Sequence, residues 1–213
     1  MRTAIVAGGS GLIGKELVQK LISSDQYRLI YLLSRRKGEF THEKIRELII
    51  DFEKIDQLTF DEPVDDIFCT LGTTMKQAGS RDNFKKVDFG YVVALANLGK
   101  QAGASKFLVI SAMGADSKSA IFYNKVKGMT EEALINIGFK QLVIFRPSLL
   151  LGKRPEARFA ERLSGVFMKT FNFLIPDNYK AIRAEKVAEG MLKMAINSTE
   201  AVSIVKSGDM QRE

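Results

Sequence analysis

Short apolar runs rich in isoleucine, valine, leucine and phenylalanine recur along the chain. Most are nearly continuous instead of alternating with polar residues, which is typical of strands buried on both faces of a parallel sheet. The pattern predicts six such strands and a final short one, at 3–8, 28–34, 47–52, 66–72, 106–114, 141–148 and 202–208.

Helical patterns lie between several of these strands. Ile13, Leu17 and Leu21 repeat every four residues, and apolar residues in 88–102 repeat every three before Gly103, a helix-stop signal. Strands that alternate with helices over short connections predict an α/β fold of Rossmann type, a doubly wound parallel sheet with helices on both faces. In such a sheet, ligands bind at the carboxyl ends of the strands.

The chain from about residue 150 to 213 is less regular. Segments 154–171 and 184–197 have helical patterns. We expect this part to be a small substrate or lid segment, because 213 residues fit one domain. Aromatic residues near Ile175 are predicted to be core or, alternatively, a hydrophobic substrate wall: Phe167, Phe171 and Phe173.

Composition narrows the possible settings. The formal charge is +7, but lysine and arginine are scattered, so nucleic-acid binding is not favoured over a basic surface or phosphate-bearing ligands. Cys69 is the single cysteine and His42 the single histidine, and neither has metal-ligand spacing. A reducing, cytosolic location fits best, and no apolar window is long enough to predict a membrane span or signal peptide.

A glycine-rich turn directly follows the first predicted strand. The segment AGGSGLIG places Gly8, Gly11 and Gly14 at three-residue spacing before a helix. Such a turn brings backbone N–H groups and a helix N-terminus against a pyrophosphate, where a Cβ would intrude. Strand, turn and helix in this order are the context that a dinucleotide motif requires. We therefore predict cofactor contacts from Gly8, Ser10, Gly11, Leu12, Ile13 and Gly14.

The end of the second predicted strand bears on which dinucleotide binds. An NAD-preferring site offers a carboxylate there to the ribose 2′-hydroxyl. This chain has Ser34, Arg35 and Arg36 instead. Guanidiniums can bind a 2′-phosphate through charge-assisted hydrogen bonds, so NADP(H) is favoured over NAD(H). Arg35 is the stronger candidate, because Arg36 can equally begin a solvated loop.

Tyr123 and Lys127 are four residues apart in a predicted helix, so their side chains lie on one face. A phenol is a weak acid near neutral pH, and a neighbouring ammonium favours its ionised form. Ser111 ends a predicted strand, at the sheet edge where the cofactor is expected. The three together suit acid–base chemistry beside a nicotinamide. The apolar stripe expected to pack on the sheet is Phe122, Val126, Met129 and Ala133.

These residues resemble the short-chain dehydrogenase/reductase superfamily, in its extended or atypical form. The glycine pattern and Tyr123-x-x-x-Lys127 with Ser111 are similar to its cofactor and active-site motifs. The wider set looks most like the atypical branch containing the HIV Tat-interacting oxidoreductase-like protein. This resemblance runs along nearly the whole chain, through DFEK (51–54), CTLGTT (69–74), KVDFGYV (86–92), FYNKVKG (122–128) and FRPSLLLG (145–152).

The resemblance implies roles for individual residues. Tyr123 would be the acid–base, Lys127 would favour its phenolate and hold the nicotinamide ribose, and Ser111 would orient the carbonyl. The adenosine end would be lined by Asp51, Phe52, Leu71, Gly72 and Thr73, and the nicotinamide end by Pro147 and Ser148. Asp88 stands where many members have asparagine, so a proton-relay role is not carried over to it.

We expect one NAD(P)-binding domain over 1–213 that transfers hydride from NADPH to a small carbonyl substrate. The short chain after Pro147 favours a small or shallowly bound substrate. The alternative is a cofactor-binding regulatory protein that acts through a protein partner. Isomerase or epimerase chemistry on the same scaffold is a third possibility.

Overall fold

The computed structural model describes residues 1–151 and 177–212. The strands in these ranges are β1 Arg2–Ala7, β2 Tyr27–Ser34, β3 Ile45–Ile49, β4 Asp66–Cys69, β5 Lys106–Ile110, β6 Gln141–Arg146, β7 Leu150–Leu151, β8 Ile182–Arg183 and β9 Val202–Lys206. The helices are α1 Leu12–Ser23, α2 Met75–Ala78, α3 Arg81–Lys85, α4 Val92–Gln101, α5 Phe122–Ile137, α6 Ala184–Asn197 and α7 Ser207–Gln211. Short 3₁₀ turns cover Phe52–Gln57 and Asp177–Tyr179, and a π-helical turn covers Lys86–Tyr91.

Seven strands of the described chain form one parallel sheet in the order β3-β2-β1-β4-β5-β6-β9. The first six follow the Rossmann order, with the direction of winding reversed between β1 and β4. Every residue of β4 is buried, as the continuous apolar run predicted. The predicted Rossmann-type doubly wound fold is confirmed.

Helices cover both faces of the sheet and enclose two cores. On one face, α1 and α6 pack together over the sheet through buried apolar residues such as Leu17, Leu21 and Met191. On the other face, α4 and α5 bury residues such as Leu95 and Leu134. Burial of an aliphatic side chain of this size stabilises the fold by about 1.5–3 kcal/mol.

Six of the seven predicted strands end sooner than the apolar runs suggested. Three of them end at Cys69, Ile110 and Arg146, and the residues after these three form loops at the carboxyl edge of the sheet. After β6 the reason is local, because Pro147 has no N–H to continue a ladder. These loops carry most of the residues that surround the candidate site.

The C-terminal part contributes to the main layers. Helix α6 packs on α1, and β9 adds an edge strand beside β6. The predicted helix over 154–171 and the phenylalanine cluster at 167, 171 and 173 lie outside the described residues.

A buried polar cluster occupies the amino edge of the sheet, away from the site. Asp66 is fully buried and accepts a hydrogen bond from the Tyr27 hydroxyl at 2.6 Å. It also forms an ion pair with Arg2 at 3.2 Å. Burial raises the pKa of the Asp66 carboxyl, although its hydrogen bond from Tyr27 opposes that shift. Because ligands of this fold bind at the opposite edge, we interpret the cluster as structural.

Candidate functional site

The glycine turn packs closely against the first residues of the loop that follows β4. Gly8 has φ of +90°, and a Cβ there would lie 2.6 Å from the carbonyl carbon of Thr70. A Cβ on Gly14 would clash with the Gly8 carbonyl oxygen and lie 2.8 Å from Gly9 Cα. The turn closes through a hydrogen bond from Gly11 N to Gly8 O at 2.9 Å. Both glycines are therefore needed for the backbone itself, which leaves the first turn of α1 open to a phosphate.

We expect Gly14→Ala to distort this turn, because the added methyl meets backbone atoms that cannot rotate away. Overpacking of this kind costs about 1–3 kcal/mol in the free energy of unfolding. The affinity for a nicotinamide dinucleotide should fall with it. Gly90→Ala is the matched control, since a Cβ there has no heavy atom within 4 Å. Fluorescence titration measures the affinity and chemical denaturation the stability. Unchanged dinucleotide affinity in Gly14→Ala would show that the glycine turn does not hold the dinucleotide.

Two adjoining cavities lie along the carboxyl edge of the sheet. They have volumes of about 430 and 370 Å³, each within the range of small-molecule sites. The first is called the adenosine cavity, after the part of the cofactor predicted to bind there, and is lined by predicted residues Gly8, Ser10, Gly11, Ser34, Arg35, Phe52, Leu71, Gly72 and Thr73. The second is called the reaction cavity, after the predicted catalytic residues, and is lined by predicted residues Gly11, Leu12, Ile13, Leu71, Gly72, Thr73, Ser111, Tyr123, Lys127, Pro147 and Ser148.

Three predicted cofactor residues do not line either cavity. Gly14 is buried beneath the turn, and Arg36 is exposed beyond Arg35. Asp51 accepts a hydrogen bond from Glu53 N at 3.0 Å and so caps the following 3₁₀ turn. That turn positions the buried Phe52 in the wall of the adenosine cavity.

Ser111, Tyr123 and Lys127 meet in the reaction cavity. Ser111 directly follows β5, and its N–H donates to Phe145 O at 2.8 Å, which fixes it beside β6. Tyr123 and Lys127 lie in the first two turns of α5, which ends at Gly138 with φ of 70°. The predicted helix and strand end thus bring the three side chains to one cavity.

Asp88 forms a buried ion pair with Lys127. The Lys127 Nζ lies 2.8 Å from Asp88 Oδ1, and the two side chains are 7% and 1% exposed. The other carboxylate oxygen of Asp88 accepts from Thr73 N at 2.9 Å. Asp88 lies in the π-helical turn before α4, a distortion often found at functional sites. The carboxylate therefore joins the ammonium to the loop between the two cavities.

This pair determines the protonation of Lys127. Burial acts to lower the pKa of the ammonium, but the Asp88 carboxylate, with a smaller contribution from Tyr123, more than offsets it. The pKa of Lys127 lies above its ordinary value as a result. The ion pair with Asp88 therefore favours the charged form of Lys127 near neutral pH.

Glu131 links Ser111 to the end of β6. The Ser111 hydroxyl donates to Glu131 Oε1, and Arg146 binds the same carboxylate through Nε, at 3.0 Å, and Nη2. Glu131 is 5% exposed and Ser111 6%. The hydrogen bond to Glu131 raises the pKa of Arg146. Because the hydroxyl proton of Ser111 is held by Glu131, Ser111 must turn from that carboxylate to donate to a carbonyl oxygen.

The sequence patterns did not single out Glu131 or Arg146, and no role was assigned to Asp88. A signal for Glu131 existed: it lies four residues after Lys127, so it shares the helix face. Arg146 interrupts an otherwise apolar strand end, which also indicates a buried partner. No local pattern indicates the contact between Asp88 and Lys127, because it depends on how two helices that are far apart in sequence pack together.

Cys69 is not a candidate nucleophile. The thiol is fully buried, and burial raises its pKa to about 12, so the reactive thiolate is absent near neutral pH. In the ranges 1–151 and 177–212, no three histidine, cysteine or acidic side chains form a group able to hold a metal ion. Among the same residues, no helix has the length and apolar character to cross a membrane.

Comparison with known sequences identifies relatives along nearly the whole chain. Residues 4–213 match the model of the NAD dependent epimerase/dehydratase family. Protein HTATIP2 of Rattus norvegicus is 32% identical over 203 residues, which cover 92% of this chain and 82% of that protein. Protein FMP52-1, mitochondrial, of Scheffersomyces stipitis is 35% identical over 166 residues, 73% of this chain and 70% of that protein. Since that relative is named mitochondrial, the cytosolic location stays a prediction.

Solved structures share the fold at low sequence identity. A short chain dehydrogenase family protein from Francisella tularensis subsp. tularensis SCHU S4 superposes with a TM-score of 0.70 at 12% identity, covering 99% of both chains. MoeE5 in complex with UDP-glucose and NAD gives 0.71 at 14% identity, covering 98% of this chain and 79% of that one. By its family match and its relatives, the chain belongs to the NAD dependent epimerase/dehydratase family, in the HTATIP2-like branch of the short-chain dehydrogenase/reductases, and is an NAD(P)-dependent enzyme of oxidoreductase type.

Proposed function

We propose that the protein is an NADPH-dependent reductase of small carbonyl compounds. The observation that carries the proposal is that Ser111, Tyr123 and Lys127 line one cavity with the first turn of α1. The adenosine and reaction cavities share Gly11 and the loop from Leu71 to Thr73, so one elongated ligand can occupy both. The glycine turn, which has no room for a Cβ on Gly8 or Gly14, fits the pyrophosphate between them.

The chain's own residues divide the work between binding and proton transfer. Bound NADPH supplies the hydride. Tyr123 donates the proton to the carbonyl oxygen, and Lys127, kept charged by Asp88, stabilises the phenolate that remains. Ser111 contacts the substrate oxygen once its hydroxyl leaves Glu131. Pro147 and Ser148 line the reaction cavity at the nicotinamide end.

The walls of the adenosine cavity support a preference for NADPH over NADH. Ser34 and Arg35 line it, whereas no aspartate or glutamate does among the described residues. Arg35 is exposed and has no ion-pair partner in the described chain, so its guanidinium is available to a 2′-phosphate. Asp51 caps the following 3₁₀ turn and does not line this cavity.

Arg35→Ala should weaken NADPH binding by about 10- to 100-fold, because it removes charge-assisted hydrogen bonds worth about 1.5–3 kcal/mol. NADH affinity should change little. Arg36→Ala, one residue further along, is the control. Titration of cofactor fluorescence gives the NADPH and NADH dissociation constants of the wild type and both variants, and the absence of tryptophan keeps the protein background low. A wild-type protein that binds NADH as tightly as NADPH would refute the preference.

A panel of aldehydes and ketones, followed by NADPH oxidation at 340 nm, tests the reaction. We expect turnover of a small carbonyl compound. Tight NADPH binding without turnover of any compound would refute the reductase and favour the alternative role, cofactor sensing through a protein partner.

A further inference from the structure

A third cavity adjoins the reaction cavity at the ends of β6 and β9. It has a volume of about 170 Å³ and is lined by Met113, Gly114, Arg146, Asn178, Tyr179, Lys206 and Ser207. Met113 lines both this cavity and the reaction cavity. Ser207 lies 2.8 Å from Ser148 of the reaction cavity, measured between their Oγ atoms. The two cavities are therefore neighbours that share this wall.

Two cations stand side by side in the wall of this third cavity. Arg146 and Lys206 are the last residues of their strands and are register partners across the parallel pair. Register partners project to the same face of a sheet. Like charges at such positions destabilise a pair of strands unless an anion offsets them.

Only one of the two cations has its anion within the described chain. Arg146 is bound to Glu131 through Nε and Nη2, so three of its five N–H donors remain. Lys206 has no carboxylate partner among residues 1–151 and 177–212, because Asp209 binds its backbone N–H and the Arg212 guanidinium instead. The positive charge of Lys206 is thus not balanced by a carboxylate of the described residues. A single unbalanced positive charge matches a ligand with a single negative charge.

The remaining walls are held in place and partly apolar. Asn178 Oδ1 accepts from Gly208 N at 3.0 Å, which fastens the 3₁₀ turn of Tyr179 to α7. Tyr179 is 62% exposed and Met113 39%. An aromatic ring and a thioether at the cavity wall can contact the carbon skeleton of a ligand.

We propose that this cavity binds the carboxylate of an oxo-acid substrate, with Lys206 and Arg146 as the anion-binding residues. This assignment rests on the proposed function and names the substrate class of the same site. Two hydrogen bonds separate the Ser111 Oγ from the Arg146 Nε, through Glu131, which limits their distance to about 6 Å. The carboxylate and the carbonyl of the substrate are therefore a few bonds apart.

Binding of benzoate and of its neutral analogue benzamide, by ligand-observed NMR titration at low salt, tests the anion site without requiring turnover. We expect benzoate to bind the wild type at least about 10-fold more tightly than benzamide. Lys206→Ala should remove this difference, and Lys206→Arg should keep it. Lys140→Ala is the matched control, because Lys140 precedes β6 at the opposite edge of the sheet. Equal binding of the two probes, or an unchanged ratio in Lys206→Ala, would overturn the proposal.

Measurements of turnover test the anion site independently of the binding titration. The ratio of kcat/KM for 4-oxopentanoate to that for its amide should exceed about 10 in the wild type and approach 1 in Lys206→Ala. A reductase that turns over both equally, with no benzoate preference, disproves the anion site and leaves the reductase standing. Selective benzoate binding without turnover of any carbonyl compound supports the anion site and disproves the reductase.

Discussion

Replacing Tyr123 by phenylalanine should lower kcat by about 10²- to 10⁴-fold, the usual contribution of a positioned acid–base group. The phenol lies one helical turn from the buried Lys127 ammonium and lines the reaction cavity. Its ring packs on Phe84 at 5.5 Å between centroids, and the variant keeps that contact. The loss should therefore appear in the chemical step, with NADPH affinity changed by no more than a few fold.

Tyr91→Phe is the matched control for this experiment. It removes the same hydroxyl from a tyrosine in the adenosine cavity, where Tyr91 packs on Phe52 at 5.5 Å. Its kcat should equal that of the wild type. Single-turnover kinetics at saturating NADPH separate the chemical step from product release. A Tyr123→Phe enzyme as fast as the wild type would show that another group delivers the proton.

Local patterns in the sequence were sufficient to predict the fold and the glycine turn after β1. Continuous apolar runs identify buried parallel strands because both faces of each strand need covering. The spacing from Gly8 to Gly14 is also a local pattern. The backbone contacts that exclude a Cβ on Gly14 come from the turn itself, whereas those at Gly8 come from Thr70 and Leu71, which are distant in sequence. Tyr123 and Lys127 could be paired because a helix fixes their relation.

The buried polar residues of α5 could not be predicted in the same way. An apolar stripe through Phe122 and Met129 was expected to pack on the sheet, yet both are only half-buried. The buried face also contains polar and charged residues, namely Lys127, Thr130 and Glu131. Their burial is possible because each has a partner from elsewhere in the chain, supplied by Asp88 and Arg146. Hydrophobic periodicity cannot report partners that are distant in sequence.

Asp88→Asn should destabilise the protein by about 3–5 kcal/mol at pH 7, because removing one partner leaves the buried ammonium of Lys127 without a counter-charge. Asparagine keeps the size of the side chain and can still accept from Thr73 N through its amide oxygen. The loss therefore reports the ion pair and not a cavity. Asp82→Asn, at an exposed position of α3, removes the same charge and should change stability by less than about 0.5 kcal/mol.

The pH dependence distinguishes a lost charge pair from a general packing defect. In the wild type, the pKa of Lys127 is raised, so its stabilising contribution is complete below the unfolded-state pKa of about 10.4 and is lost only as pH rises through the folded-state pKa. In Asp88→Asn, burial is opposed mainly by the smaller contribution of Tyr123, and we expect it to lower the folded-state pKa of Lys127. The unfolded chain then binds more protons between that value and about 10.4, so the variant gains stability with rising pH. Urea denaturation at pH 7 and pH 9.5 should show the gap between the proteins narrowing; a gap of equal size at both would mean that Asp88 does not hold Lys127 charged.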